Sequence, residues 1–458
     1  MSNAPERPEV RPAEGWQFPA PRIRSLDNGL QVWVFQLPGQ HVVSCELVMD
    51  IPLSVEPAEL EGVATLALRC SDEGTAAHPG EQLVEALESC GAAYEGHASA
   101  SATIASLDLP STRLEQALPL FAEIVRTPSL ADGDVERHVA LRLAEIEQTL
   151  ASPPSLAALA VRHLLFEADS RETRPQGGRA RTVERVDPAA VRDFHARWWR
   201  PEGATLVLAG DLGEQVDELV DRCFADWQGV EPRASHLVPL PASLAGHDEQ
   251  GRRIVNLVDS PGAVQAELRV AGLGVDRSNP QFGPLQVAAT AMGGSFGSRL
   301  NTLLREERGY TYGAHCSVAP ARLGGTWAVS TSVRNECAVE ALTDTLQAME
   351  LDEEGFVIDE VADAVSYLVG IAPLRYDTAG AISGQAASLA AAGWTPDFVN
   401  LHFARVAKVT PSAATQAWRQ VMAPERSHVV VVGDAAQLAG PLESAGYAAV
   451  PLEAAELG

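Results

Sequence analysis

Gly293-Gly294-Ser295-Phe296-Gly297-Ser298-Arg299-Leu300 runs directly into Asn301-Thr302-Leu303-Leu304-Arg305-Glu306-Glu307-Arg308-Gly309-Tyr310-Thr311-Tyr312-Gly313. A glycine-rich entry gives way to a helix-forming run, and Gly309 marks a turn from helix into strand. Arg305 and Tyr312 stand seven residues apart across that turn. One sits near the helix end and the other at the strand start, from where both can face one cleft. Arginine offers a rigid fork of donors and tyrosine a phenolic donor, a pairing that suits carbonyl oxygens and a developing oxyanion. The plainer alternative is that Arg305 caps its own helix and Tyr312 packs in the sheet.

Outward from this stretch, two distant segments repeat one local design. Arg200-Pro201 precedes Leu206-Val207-Leu208-Ala209-Gly210-Asp211, and Ala423-Pro424 precedes Val429-Val430-Val431-Val432-Gly433-Asp434. In each, a helix ends at a proline and an apolar strand then stops at Gly-Asp. The reading is a two-unit chain: a lead-in over 1–16, a first unit over 17–230, a linker over 231–252 rich in Pro, Ala, Ser and charge, and a second unit over 253–458. Each unit has room for helical extensions besides its sheet.

Within the first unit, Asn28-Gly29 supplies the positive φ angles of a tight hairpin before Leu30-Gln31-Val32-Trp33-Val34-Phe35. A strand is expected from Val42 to Met49 and a helix from Leu60 to Cys70. Gln82 to Ser89 reads as a short helix burying Leu83, Val84 and Leu87. Leu107-Asp108-Leu109 alternates like a strand, Leu114 to Val125 is helical, and Val135 to Leu150 is a long helix stopped by Pro153-Pro154.

Composition narrows the function classes. With 458 residues, 46% hydrophobic and 21% charged, the chain has ample core material. Its 34 basic and 61 acidic side chains give a net charge of −27, which repels nucleic acid and anionic membranes. No apolar run reaches the ~20 residues of a membrane span. Cys45, Cys70, Cys90, Cys223, Cys316 and Cys337 lack C-x-x-C spacing and read as reduced thiols of a cytoplasmic protein. No G-x-S-x-G elbow or phosphate-binding Gly-Lys loop is present.

The Gly293–Gly313 stretch closely resembles the carboxy-terminal signature of the pitrilysin family of zinc peptidases. The Leu26–Val32 opening, the strand after Arg200-Pro201 and the Phe224-x-x-Trp227 closure resemble the same family. The resemblance implies an α+β fold of two homologous repeats, each a mostly antiparallel sheet covered by helices, forming half of a clamshell. It also implies that Arg305 and Tyr312 are the family's substrate-binding Arg/Tyr pair.

Family members that cleave peptides carry H-x-x-E-H on a helix, with two histidines holding zinc and the glutamate activating water. The equivalent frame here is Gly62-Val63-Ala64-Thr65-Leu66-Ala67-Leu68-Arg69-Cys70, so the ligand positions hold Thr65 and Arg69 and the general-base position holds Leu68. A guanidinium repels the cation and leucine carries no proton. Glu145 falls where the third ligand is expected and reads as a helix-surface or Arg69-paired residue. The histidines stand singly, apart from His315 beside Cys316, and strand neighbours point to opposite faces. The resemblance therefore implies a chain without metal or cofactor of its own, paired with a zinc-binding homologous subunit as a heterodimer acting on peptides. A structural scaffold subunit and a peptide-binding module without peptidase activity are the rival readings.

Overall fold

The computed structural model describes residues 15–229 and 246–458. Most of the 1–16 lead-in and of the 231–252 linker lies outside the described residues. Trp16, assigned to the lead-in from sequence, stacks on Tyr376 with ring centroids 5.6 Å apart. Burying its indole against the second unit's aromatics outweighs the polar character of the segment before it.

The first sheet contains β1 (Arg22–Ser25), β2 (Gln31–Gln36), β3 (Val42–Met49), β4 (Ala93–Ala98), β5 (Thr103–Pro110) and β6 (Thr205–Gly210), in the order β1-β2-β6-β3-β5-β4. The second contains β7 (Ile254–Asp259), β8 (Gln265–Gly274), β9 (Ala314–Pro320), β10 (Gly325–Arg334), β11 (His428–Gly433) and β12 (Ala448–Pro451), in the order β12-β7-β11-β8-β10-β9. Five of the six strands of each sheet, β2-β6-β3-β5-β4 and β7-β11-β8-β10-β9, correspond one to one, and most pairings are antiparallel. The exceptions are β2 with β6, β7 with β11, and β12 with β7. The first repeat opens on an antiparallel hairpin, with Gly29 at φ 90°, whereas the matching edge of the second is filled by the C-terminal β12. Asn28 secures the hairpin by donating to the carbonyls of Phe224 and Trp227 at 2.7 and 3.0 Å.

The repeated strands β6 and β11 are buried at every position. At β6 and β11 both faces of the sheet are covered, which is why these strands read as unbroken apolar runs rather than alternating ones. On the first sheet, Leu206 and Leu208 face the unit's own helices, while Val207 and Ala209 face helices of the second unit. The Ala379–Ala391 helix supplies that cover, with Ala387 against Val48 and Ile104, and the Ser383 hydroxyl bonded to that of Ser44 at 2.9 Å. Reciprocally, the Pro153–Leu165 helix of the first unit packs Leu156, Ala157 and Ala160 on Val258, Val430 and Val432 of the second sheet. Each repeat thus lends a helix to the other.

The long helix ends at Leu150 as expected, and Pro153, three residues further on, is the first residue of the next helix, where its missing N–H costs nothing. Two local expectations are corrected. Val84 is exposed, because the Glu81–Cys90 helix buries Leu83, Leu87 and Cys90 instead. The helix expected over Leu60–Cys70 is regular only from Val63 to Arg69, after a 3-10 turn at Ala58–Leu60.

Candidate functional site

The Val63–Arg69 helix is short and enters through Gly62 at φ 107°. A Cβ at Gly62 would stand 2.9 Å from the Gly177 carbonyl oxygen, so both space and backbone demand glycine. The helix N-terminus is capped at a distance. The fully buried carboxylate of Glu56 accepts from the N–H groups of Gly62 and Ala64 at 3.0 Å each, and from the Arg171 guanidinium at 3.0 and 2.7 Å. Arg174 pairs with Glu61 at 2.7 Å beside it. These buried charges orient the helix that carries Thr65, Leu68 and Arg69.

Arg69 reaches across to the Asp132–Leu150 helix, where its Nη1 donates to both oxygens of Glu145 at 2.8 Å. Arg142 donates to the same carboxylate at 3.0 Å and to the Gly177 carbonyl at 3.0 Å. Burial pushes the Glu145 carboxyl up, but the bonds and charges of Arg69 and Arg142 outweigh it and hold the group below its ordinary range. Leu68 is buried against β4: a Cβ at Gly96 would lie 2.8 Å from a Leu68 methyl and 2.7 Å from the Ile104 carbonyl oxygen. Thr65, Leu68 and Arg69 line one cleft of about 350 Å³.

These residues do not fit a zinc ion. One ligand position is a cation, and the carboxylate that would face the metal is engaged by two guanidinium groups. The nearest histidine on that helix, His138, is turned to Glu73 at 2.6 Å, which also pairs with Arg137 at 2.7 Å. Burial holds the Cys70 thiol up at about 12, as expected of an unreactive structural cysteine. Among the described residues, no group of three or more His, Cys, Asp or Glu side chains is arranged to hold a metal.

In the second unit, the glycine-rich entry is set by close packing. A Cβ at Gly293 would lie 2.8 Å from Cys316. Asn301, to which the sequence reading gave no role, binds the region together: its amide donates to the carbonyls of Ser295 and Ala314 at 3.1 and 2.9 Å, and its oxygen accepts from Ala314 at 3.0 Å. The Asn301–Glu307 segment winds as a π-helix, a form often found where a functional side chain is re-aimed. Arg305 lies over the Phe296 ring, 3.6 Å from its centroid, and bonds Glu306 at 2.8 Å. Phe296 itself remains 78% exposed.

Tyr312 precedes β9, which starts at Ala314, and it is 96% exposed. Packing in the sheet is therefore excluded for it. The Thr311 hydroxyl fixes the loop by donating to the Gly313 carbonyl at 2.9 Å and accepting from Thr331 at 3.0 Å, leaving the phenol of Tyr312 directed to solvent. Arg305 bonds Glu306 and the Phe296 carbonyl, and no bond to Tyr312 is among those of the described residues. On β9, His315 is exposed and Cys316 buried, on opposite faces as their adjacency requires. Phe296 and Asn301 were visible in sequence only as parts of a motif. Their roles depend on contacts that the spacing does not disclose.

Comparison with known proteins finds two family descriptions along this chain: Insulinase (Peptidase family M16) over residues 32–173 and Peptidase M16 inactive domain over residues 185–367. A Streptomyces coelicolor protein named an uncharacterized zinc protease is 22% identical over 424 residues, covering 90% of this chain and 89% of that protein. The crystal structure of a peptidase M16 inactive domain from Pseudomonas fluorescens superposes with a TM-score of 0.78 at 21% identity, covering 90% of this chain and 98% of that one. A protease structure from Helicobacter pylori gives a TM-score of 0.79 at 14% identity, covering 91% and 100%.

Proposed function

Because the chain belongs to peptidase family M16, the pitrilysin-type zinc peptidases, we propose that it is the non-catalytic, substrate-binding subunit of a heterodimeric zinc metallopeptidase acting on short or unstructured peptides. The observation that carries this reading is the Arg69–Glu145 pair, in which a guanidinium takes both oxygens of the carboxylate that the family pattern gives to the metal. Zinc, the attacking water and the proton-transferring glutamate are then the business of an H-x-x-E-H partner subunit. This chain contributes donors. The exposed Tyr312 hydroxyl and the Arg305 guanidinium bond peptide carbonyls and hold the backbone in place for the partner's chemistry.

The substrate enters as an extended segment, which favours flexible peptides, a precursor leader peptide among them. No helix of the described residues is long and apolar enough to cross a membrane. All six cysteines are free thiols, five of them buried, in keeping with a cytoplasmic setting.

The test is reconstitution with a separately purified H-x-x-E-H homologue. Peptidase activity is expected in the mixture, at least tenfold lower with Tyr312→Phe or Arg305→Ala, given roughly 2.7–4 kcal/mol for a lost oxyanion donor. A stable pair that cleaves no unstructured peptide overturns the proposal in favour of a scaffold. Peptide binding without any effect of a partner on turnover favours a simple binding module.

A further inference from the structure

The cleft beside the degenerate motif is lined by positive charge. In a chain of net charge −27, its wall of about 350 Å³ includes three guanidinium groups, Arg69, Arg142 and Arg162, with His97 among the lining residues and no acidic side chain among them. Among the described residues, the carboxylate bonded to this wall is that of Glu145, bound by Arg69 and Arg142, so it neutralises part of their charge and makes no bond to Arg162.

Donors remain to be used. Each guanidinium has five N–H groups. Arg69 reaches Glu145 through Nη1 alone, and Arg142 uses Nε and Nη1. Arg162 donates from Nη1 to the Glu172 carbonyl at 3.2 Å. Burial and the neighbouring Arg171 hold the Arg162 guanidinium below its ordinary range, with Glu172 opposing, as expected of a half-buried cation short of counter-charge. The opposite wall is β4, an edge strand paired only with β5, where Gly96 exposes backbone beside Leu68.

We propose that this cleft binds a peptide carboxylate, an extended segment lying along β4 with an anionic group received by Arg69, Arg142 and Arg162. The inference rests on the reading that the chain holds peptides, and it concerns the isolated subunit. Binding can therefore fail while reconstituted activity stands, and the reverse.

The experiment titrates the full chain with three fluorescent peptides of one extended sequence. One has an internal Glu and an amidated terminus, one has Gln and a free carboxylate terminus, and one has Gln and an amidated terminus. At least one charged peptide is expected to bind about tenfold more tightly than the neutral one, the scale of a charge-assisted hydrogen bond, and the pair tells side chain from terminus. The preference should shrink as salt is raised and vanish in Arg162→Gln. Glu145→Gln frees Arg69 and Arg142 and should strengthen it several-fold. Should Arg162→Gln not fold, the Glu145→Gln and salt results decide. Equal affinity for all three peptides, no measurable binding, or a preference unmoved by Glu145→Gln and salt overturns the proposal.

Discussion

Removing the Glu56 carboxylate should unseat the helix that carries the degenerate motif. Glu56 is fully buried and accepts four hydrogen bonds, two from the helix N-terminus and two from Arg171, whose own side chain is 7% exposed. In Glu56→Ala the guanidinium stays buried with only the more distant Glu61 at 3.8 Å and the carbonyls of Arg174, Pro175 and Gln176, and the Gly62 and Ala64 N–H groups lose their acceptor. Breaking a buried pair on one side costs about 3–5 kcal/mol. For a cooperative unit of this size, about 2–4 °C per kcal/mol translates that loss into a melting-temperature drop of roughly 6–20 °C. Glu56→Gln should fall in between, because its amide oxygen can still accept from the helix. Pairing Glu56→Leu with Arg171→Met removes both charges and should recover more than half of the loss. Calorimetry on the four proteins checks this, and a drop under about 2 °C for Glu56→Ala would refute the assignment of Glu56 as the anchor.

Thr65→His with Arg69→His places two imidazoles one helical turn apart facing Glu145, so this double variant should take up about one zinc per chain by metal analysis, while Leu68 keeps it from hydrolysing peptides. Tyr312→Phe should leave the melting temperature within about 1 °C, since the ring contributes almost no buried area, while lowering reconstituted activity. Glu46 carries a pH dependence. Burial, then Asp108 and Glu95, push its carboxyl up to about 7, so the folded state holds a proton that the unfolded chain releases near the ordinary value of 4.5. Stability from this group is present below about 4.5 and is lost as pH rises to about 7, on the order of 3 kcal/mol. Glu46→Gln should accordingly gain melting temperature over the parent at pH 8 and lose that advantage at pH 4, and an equal difference at both would exclude it.

Much of the fold was legible because local chemistry and tertiary structure agree. A hairpin does form at Asn28-Gly29, though as the five-residue connection Leu26–Leu30 with positive φ at Gly29 and not at Asn28 in place of the expected tight turn; Val42–Met49 forms its strand with the expected bounds, and the Gly-Asp strands fall at matching places in both sheets. The degenerate motif was readable from residue type alone, since Thr65, Leu68 and Arg69 lack the chemistry of zinc ligands and a general base whatever their surroundings. What could not be read was contact at long range. Glu56 and Arg171 are 115 residues apart, and nothing in either neighbourhood announces the other. The Ala379–Ala391 helix is rich in Ala, Ser and Gly and carries a weak apolar stripe, so its place on the other repeat's sheet is invisible before folding. Arg162 follows the same logic: it belongs to a helix whose apolar face serves the second sheet, and only that packing brings its guanidinium beside Arg69 and Arg142.

The central claim is best tested on the purified chain alone, prepared with zinc in excess and freed of contaminating peptidases. Its metal content is measured by mass spectrometry, and its turnover of unstructured peptides is followed before and after chelation. The account predicts no stoichiometric zinc and no chelator-sensitive cleavage; about one tightly held zinc per chain, with cleavage that disappears on chelation, would contradict it.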